Sequence, residues 1–126
     1  MSDQTTVLLI EDDGEIRHIA SLRLRAAGYK TMDAEDGDEG VLKAVAEHPD
    51  AIVMDVRMPK KDGMTALVEL KEHKETRNIP IVMLSASIVD RQRALEAGAR
   101  FFLTKPYQGR NLLATVAAAV DKGSQP

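Results

Sequence analysis

The sequence predicts an α/β domain in which five parallel strands form one sheet with helices on both faces. Short apolar runs alternate five times with segments whose apolar residues recur at helical spacing. The connections between them are short, as they are in βα units with right-handed crossovers. A chain of 126 residues can bury a core but has room for only one domain. We therefore expect a single domain over residues 1–126, with its core over about residues 6–121.

The first half of the chain predicts two strand–helix units and a third strand. Val7 to Ile10 is the first strand, and the helix that follows it ends at Gly28. The second strand, Lys30 to Ala34, is more polar, which favours a position at or near an edge of the sheet, and a second helix follows it. The third strand, Ala51 to Met54, is wholly apolar, as in a strand buried on both faces, and Asp55 ends it.

The second half predicts the remaining units of the same kind. Gly63 opens the third helix, and the fourth strand, Ile81 to Leu84, ends at Ser85. A fourth helix from about Val89 to Ala97 precedes the fifth strand, Phe101 to Leu103. One face of the last helix is apolar and consists of Leu112, Val116, Ala119 and Val120.

Composition argues against several classes of function. The net charge of -3 and the sequence pI near 5.6 argue against binding to nucleic acid. The absence of cysteine excludes disulfides, thiol catalysis and thiolate metal sites. The segment Met1 to Thr6 lacks the apolar core of a signal peptide, and no run approaches the roughly 20 apolar residues of a membrane span. We expect a cytoplasmic protein that binds neither membrane nor nucleic acid, with a frayed polar tail over residues 122–126.

Acidic side chains follow two of the predicted strands. Glu11, Asp12 and Asp13 come after the first strand, and Asp55 comes after the third. The expected strand order is 2-1-3-4-5, a flavodoxin-like order that places these two strands side by side, with a ligand crevice at their carboxyl ends. An isolated aspartate more often caps a turn. Two neighbouring strands that both end in acid predict instead one acidic pocket, with Asp12 and Asp55 facing each other.

The other strand ends add a hydroxyl, Ser85, and an ammonium group, Lys105. Carboxylates packed together repel one another, and a divalent cation relieves that repulsion; a site with few protein oxygens suits Mg²⁺, which keeps several waters. Such an ion can also bridge a carboxylate and a phosphoryl oxygen, while lysine and hydroxyl groups contact the remaining oxygens. The pattern predicts Mg²⁺-dependent transfer of a phosphoryl group to Asp55.

The chain resembles the receiver domain of bacterial two-component response regulators over roughly residues 6–121. The residues Leu8 to Asp13 are similar to the family's first acidic motif, and Met54 to Pro59 with Asp62-Gly63 to its phosphorylation motif. Leu84 to Ala86 and Leu103 to Pro106 are similar to its last two motifs. The resemblance implies a phosphorylation-dependent signalling switch of the stand-alone type, which is not an enzyme and assists only its own phosphorylation and dephosphorylation.

The resemblance also implies roles for the acidic residues. Asp55 would be the phosphoacceptor and, together with Asp12, a direct ligand of Mg²⁺. The backbone carbonyl of Arg57 would be a further ligand, and Glu11 would act through a water molecule. Asp13 lies one position beyond the acidic pair, where it is expected to cap the first helix, with a metal-holding role left open.

The same resemblance implies a switch at the last two strands. Ser85 and Lys105 would contact the phosphoryl group, and Ser85 would be coupled to the aromatic residue Phe102. Lys105-Pro106 would be a cis peptide bond. Two residues depart from the family pattern. Phe102 lacks the hydroxyl of the tyrosine often found there, and Gln108 replaces an aspartate that often caps the last helix.

The implied partners are proteins. A histidine kinase or a histidine phosphotransfer protein would donate the phosphoryl group. The signal would leave through a protein bound at the face of helix four, strand five and helix five, through dimerisation on phosphorylation of a monomer, or by relay. Two alternatives remain open: a Mg²⁺-dependent phosphatase with an aspartyl nucleophile, although Arg57 stands where its second acid belongs, and a degenerate, unphosphorylated flavodoxin-like binding module.

Overall fold

The computed structural model describes residues 4–121 and confirms the predicted α/β fold. Five parallel strands form one sheet in the order β2-β1-β3-β4-β5, as predicted. The strands are β1 (Thr6–Ile10), β2 (Lys30–Ala34), β3 (Ala51–Asp55), β4 (Ile81–Ser85) and β5 (Phe101–Thr104). The helices are α1 (Gly14–Ala26), α2 (Gly37–Glu47), α3 (Gly63–Glu72), α4 (Ile88–Glu96) and α5 (Gly109–Val120). The polar tail predicted to fray, residues 122–126, lies outside the described residues.

Two apolar layers hold the helices against the sheet. Side chains of the central strands alternate between them: Ile52 and Met54 pack with α2, α3 and α4, and Val53 packs with α1 and α5. All five residues of β3 and of β4 are buried, which explains the uninterrupted apolar runs in the sequence. β2 has a mixed pattern of exposure and lies at the edge, as its polar sequence predicts.

The strand register brings the carboxyl ends of four strands to one edge of the sheet. Ile10 of β1 pairs with Met54 of β3, so Glu11 and Asp55 follow at the same level. On the other side of β3, Asp55 pairs with Leu84, and the next residue of β4, Ser85, pairs with Thr104 of β5. The residues predicted to form one site therefore leave the sheet together.

The helix starts agree with the sequence in two details. Asp13 caps α1, because its carboxylate accepts hydrogen bonds from the backbone N–H groups of Glu15 and Ile16 at 3.0 and 3.1 Å. Gln108 stands at the cap position of α5 and makes no side-chain capping hydrogen bond, as expected from the missing aspartate.

The Lys105-Pro106 peptide bond is cis, as the resemblance implies. Within residues 4–121, no helix is long and apolar enough to cross a membrane.

Candidate functional site

Three carboxylates meet where β1 and β3 end. One oxygen from each of Glu11, Asp12 and Asp55 lies within 4.8 Å of the other two. Asp55 and Glu11 are only 5% and 7% exposed, whereas Asp12 is exposed to solvent. The structure therefore brings together the three acids that the sequence places after neighbouring strands, in a pocket with one open side.

The ammonium group of Lys105 closes the pocket from the β5 side. Its Nζ atom lies 2.7 Å from Oδ1 of Asp55 and 3.7 Å from Oε1 of Glu11. Burial lowers the pKa of Lys105, but its hydrogen bond and charge attraction to Asp55 outweigh this and raise the pKa above the ordinary value. Lys105 is therefore a fixed positive charge directed at Asp55.

The pKa values of the two buried acids, Asp55 and Glu11, are both raised. Burial raises the pKa of Asp55, while the hydrogen bond from Lys105 opposes this rise. Burial also raises the pKa of Glu11 from 4.5 to about 7; the negative charge of Asp55 adds to the rise, and the N–H of Asp13 opposes it. One lysine does not compensate three neighbouring carboxylates, so the pocket favours a further cation.

The hydrogen bonding of Glu11 fits a metal ion. Oε2 accepts a hydrogen bond from the backbone N–H of Asp13 at 3.1 Å, but Oε1 is buried and has no hydrogen-bond partner. A buried carboxylate oxygen without a donor is costly, and a water molecule held by a hard cation would satisfy it. Since the available donors are carboxylate oxygens and the protein contributes few of them, the residues suit Mg²⁺.

A close approach between β3 and α3 shapes the loop that follows Asp55. A Cβ atom on Gly63 would lie 2.2 Å from the backbone oxygen of Asp55, so only glycine allows this contact. The N–H of Gly63 also donates to the carbonyl of Val56 at 2.8 Å. The loop containing Arg57 is therefore folded tightly over the end of β3, beside the acidic pocket.

Ser85, at the end of β4, is 3% exposed, and its hydrogen-bond partners are residues other than Asp55. Its hydroxyl donates to Oδ2 of Asp90 at 2.6 Å and accepts from the backbone N–H of Ser87 at 3.1 Å. Asp90 is fully buried, and the Arg57 guanidinium donates to both of its oxygens, at 3.0 and 3.1 Å. Burial favours a raised pKa for Asp90, but the bonds from Ser85 and Arg57 outweigh it and lower the pKa, so this carboxylate is ionised at neutral pH.

Sequence reasoning did not single out Asp90. The available signal was the spacing Ser87-x-x-Asp90, which is a capping pattern and marks the start of α4 without indicating a buried ion pair.

Phe102, the predicted switch residue, is half-buried and packs on the α2, α3 and α4 side of the sheet, whereas Phe101 packs on the opposite side. The two neighbouring rings therefore belong to different layers.

The chain is similar in sequence to known proteins. The family model described as "Response regulator receiver domain" matches residues 7–117. The chain is 39% identical over 114 residues to the DNA-binding dual master transcriptional regulator RpaA of Synechocystis sp., covering 89% of this chain and 47% of that protein. It is 35% identical over 116 residues to the phosphate regulon transcriptional regulatory protein PhoB of Escherichia coli, covering 90% of this chain and 51% of that protein. The chain thus spans about half the length of the curated relatives it matches.

Solved structures agree with the family model. A putative response regulator from Chloroflexus aurantiacus superposes with a TM-score of 0.91 at 31% identity, covering 95% of this chain and 100% of that chain. The receiver domain of the sensor histidine kinase PA1611 from Pseudomonas aeruginosa has a TM-score of 0.86 at 31% identity, covering 94% and 98%. That structure holds a magnesium ion coordinated in its active site cleft.

Proposed function

This chain belongs to the response regulator receiver domain family, and we propose that Asp55 is the phosphoacceptor of the signalling switch that it forms. The observation that carries the proposal is the surroundings of Asp55. Its buried carboxylate lies 2.7 Å from the ammonium group of Lys105 and within 4.8 Å of the acids Glu11 and Asp12. An acceptor oxygen, a neutralising cation and a divalent metal site are the components that phosphoryl transfer to a carboxylate requires.

The proposed metal is Mg²⁺, which when bound supplies positive charge to both the carboxylates and the phosphoryl group. Asp12, Asp55 and the backbone carbonyl of Arg57 would be its direct protein ligands. Glu11 would act through a water molecule. The unpartnered Oε1 atom of Glu11 and the mutual repulsion of the three acids support this assignment.

The proposed reaction transfers the phosphoryl group from a phosphohistidine. A carboxylate oxygen of Asp55 attacks the phosphorus atom, a P–O bond forms, and the P–N bond to the donor imidazole breaks, with the electron pair going to that nitrogen. Lys105 then pairs with a phosphoryl oxygen, which keeps the added charge compensated. Catalysis consists mainly of positioning and charge neutralisation, so the chain is a phosphoacceptor protein whose own residues assist the transfer.

The proposed output is a change on the surface formed by α4, β5 and α5. A phosphoryl group on Asp55 offers new acceptors to the Ser85 hydroxyl, and the half-buried ring of Phe102 is available to occupy space beside β4. The start of α4 presents two exposed apolar side chains, Ile88 at 81% and Val89 at 63%. Such side chains suit a protein partner whose affinity depends on the position of α4.

The donor proposed for this chain is a histidine kinase or a histidine phosphotransfer protein, and the recipient of the signal is a protein. The two curated relatives described above are transcriptional regulators about twice as long as this chain, and the DNA binding in the description of RpaA is said of that longer protein. We expect no direct nucleic-acid contact by the described domain, and either a monomer or a dimer that forms on phosphorylation. An aspartyl phosphatase is disfavoured because Arg57 occupies the position of its second acid and pairs with Asp90.

Labelling with a small phosphodonor tests the proposal. Acetyl phosphate and Mg²⁺ should add one phosphoryl group to the wild-type protein, seen by intact mass spectrometry, and chelation of Mg²⁺ should prevent it. Asp55→Asn should abolish the labelling. Asp62→Asn is the matched control, because Asp62 is an exposed aspartate that caps α3. Unchanged labelling of Asp55→Asn would refute the assignment.

A further inference from the structure

A buried carboxylate in the first turn of α4 has no role in the mechanism described so far. Asp90 is completely buried, and three side chains compensate it. Ser85 donates to Oδ2 at 2.6 Å, Arg57 donates to both oxygens, and Arg93 lies 3.7 Å from Oδ1. Burying a carboxylate is costly unless it is paired, so this cluster is maintained by specific contacts.

The Ser85 hydroxyl can serve only one acceptor at a time. It carries a single proton, which it donates to Asp90, and its oxygen already accepts the N–H of Ser87 at 3.1 Å. A hydrogen bond from this hydroxyl to a phosphoryl oxygen on Asp55 therefore requires that its bond to Asp90 break. Asp90 and a phosphorylated Asp55 would therefore compete for the same hydroxyl proton.

The pairing of Asp90 with arginine makes this exchange feasible. If Ser85 turns away, both oxygens of Asp90 keep their bonds to Arg57, and Arg93 remains close. The carboxylate thus loses one hydrogen bond without becoming an unpaired buried charge. Both arginine side chains are largely exposed, at 70% and 57%, so they can follow a displacement of α4.

We propose that Asp90 is a positioning residue that holds the Ser85 hydroxyl away from Asp55 in the unphosphorylated protein. On phosphorylation the Ser85 hydroxyl redirects its hydrogen bond from Asp90 to a phosphoryl oxygen on Asp55, and this releases the first turn of α4 from the end of β4. Ile88 and Val89, the exposed apolar residues in the same turn, move with it. The inference rests on the proposed role of Asp55 and adds the contact against which its phosphorylation must work.

The test is a titration of the ¹⁵N-labelled protein with beryllium fluoride and Mg²⁺, which together mimic a phosphoryl group. The backbone amide of Ser87 is the reporter, because it donates to the Ser85 hydroxyl. Asp90→Asn keeps the shape but weakens the acceptor. It should lower the half-saturating beryllium fluoride concentration about tenfold, the effect of one hydrogen bond to a charged group. It should also shift the Ser87 amide resonance towards its bound position before any ligand is added.

A double-mutant cycle separates this effect from a general loss of negative charge. In a Ser85→Ala background, Asp90→Asn should no longer change the affinity, whereas a purely electrostatic effect would persist. Glu96→Gln is the matched control, since Glu96 is an exposed acid on the same helix that pairs with Gln92; it should leave affinity unchanged. Equal effects of Asp90→Asn in both backgrounds, or no gain in affinity at all, would overturn the inference.

A second variant covers the case in which Asp90→Asn does not fold. Arg57→Met changes a largely exposed side chain and leaves Asp90 more dependent on Ser85. It should weaken beryllium fluoride binding more in the Ser85 protein than in the Ser85→Ala protein, and equal weakening contradicts the inference. Absence of binding by the wild type would instead refute the proposed function, and with it this inference. Normal binding that is lost in Asp55→Asn but insensitive to Asp90 and Arg57 would leave the proposed function standing and refute only the role of Asp90.

Discussion

Glu11→Gln should stabilise the metal-free protein near neutral pH. Burial raises the pKa of Glu11 from 4.5 to about 7, so the charged form is disfavoured in the folded state. Between these two values the folded protein holds a proton that the unfolded chain has lost, and the free energy of unfolding therefore falls as the pH rises. One pKa unit corresponds to about 1.4 kcal/mol, which places the loss above pH 7 on the order of 3 kcal/mol at most.

Glutamine preserves the favourable contact of this side chain. Its amide oxygen can accept the N–H of Asp13 in place of Oε2, and its amide nitrogen can occupy the position of the unpartnered Oε1. There the amide nitrogen would offer a donor to the neighbouring carboxylates. The substitution therefore removes a buried charge without creating a cavity or losing a hydrogen bond. It gives up the 3.7 Å ion pair of Oε1 with Lys105, which keeps its closer partner Asp55 at 2.7 Å.

Urea unfolding with a chelator present, below pH 4.5 and again above pH 7, measures the effect. The variant and the wild type should have similar stability at the lower pH, and the variant should be more stable by about 1 to 3 kcal/mol at the higher pH. Glu72→Gln, at an exposed position of α3, is the control and should change stability by only a few tenths of a kcal/mol. A variant that is less stable than wild type at neutral pH would refute the electrostatic account of the pocket.

Further predictions concern the metal, the switch and one helix cap. Without metal, Asp12→Ala should be at least as stable as wild type, because it removes a repelling carboxylate, but Mg²⁺ should no longer stabilise it. Thermal melts with and without Mg²⁺ measure both effects. Marked destabilisation of the metal-free variant would indicate a structural role for Asp12. Ser85→Ala should still accept a phosphoryl group while the NMR shifts of Ala94 and Phe102 respond weakly; a full wild-type response would disprove their coupling to Ser85. Gln108→Asp should supply the missing cap of α5 and raise the free energy of unfolding by about 1 kcal/mol, measured by urea unfolding. No gain in stability would show that the cap position is unsuited to a carboxylate.

The sheet and the meeting of the acids were predictable because they follow from local pattern and one topological rule. Strands β3 and β4 are buried on both faces and read as continuous apolar runs, and the polar strand β2 lies at the edge. Once the order places β1 beside β3, their terminal acids must converge. The sequence thus predicts which carboxylates meet without fixing any distance between them.

The contacts of Asp90 could not be predicted in the same way. Its partner Arg57 is 33 positions away in the chain, and their pairing depends on how the loops after β3 and β4 fold over the sheet edge.

Helical spacing also fails to predict how far the side chains on an apolar helix face are buried. Ile16 and Ile19 fit the apolar face of α1, yet they are 42% and 52% exposed, because periodicity gives the direction of a face and not the width that neighbouring helices cover.

Chemical trapping of the phosphorylated residue tests the central claim most directly. After reaction with acetyl phosphate and Mg²⁺, borohydride reduces an aspartyl phosphate to homoserine, and peptide mass spectrometry then locates it in the chain. We predict homoserine at position 55 and at no other aspartate, including the neighbouring Asp12. Conversion at another residue, or none in a protein that has gained a phosphoryl group, would contradict the assignment of Asp55 as the phosphoacceptor.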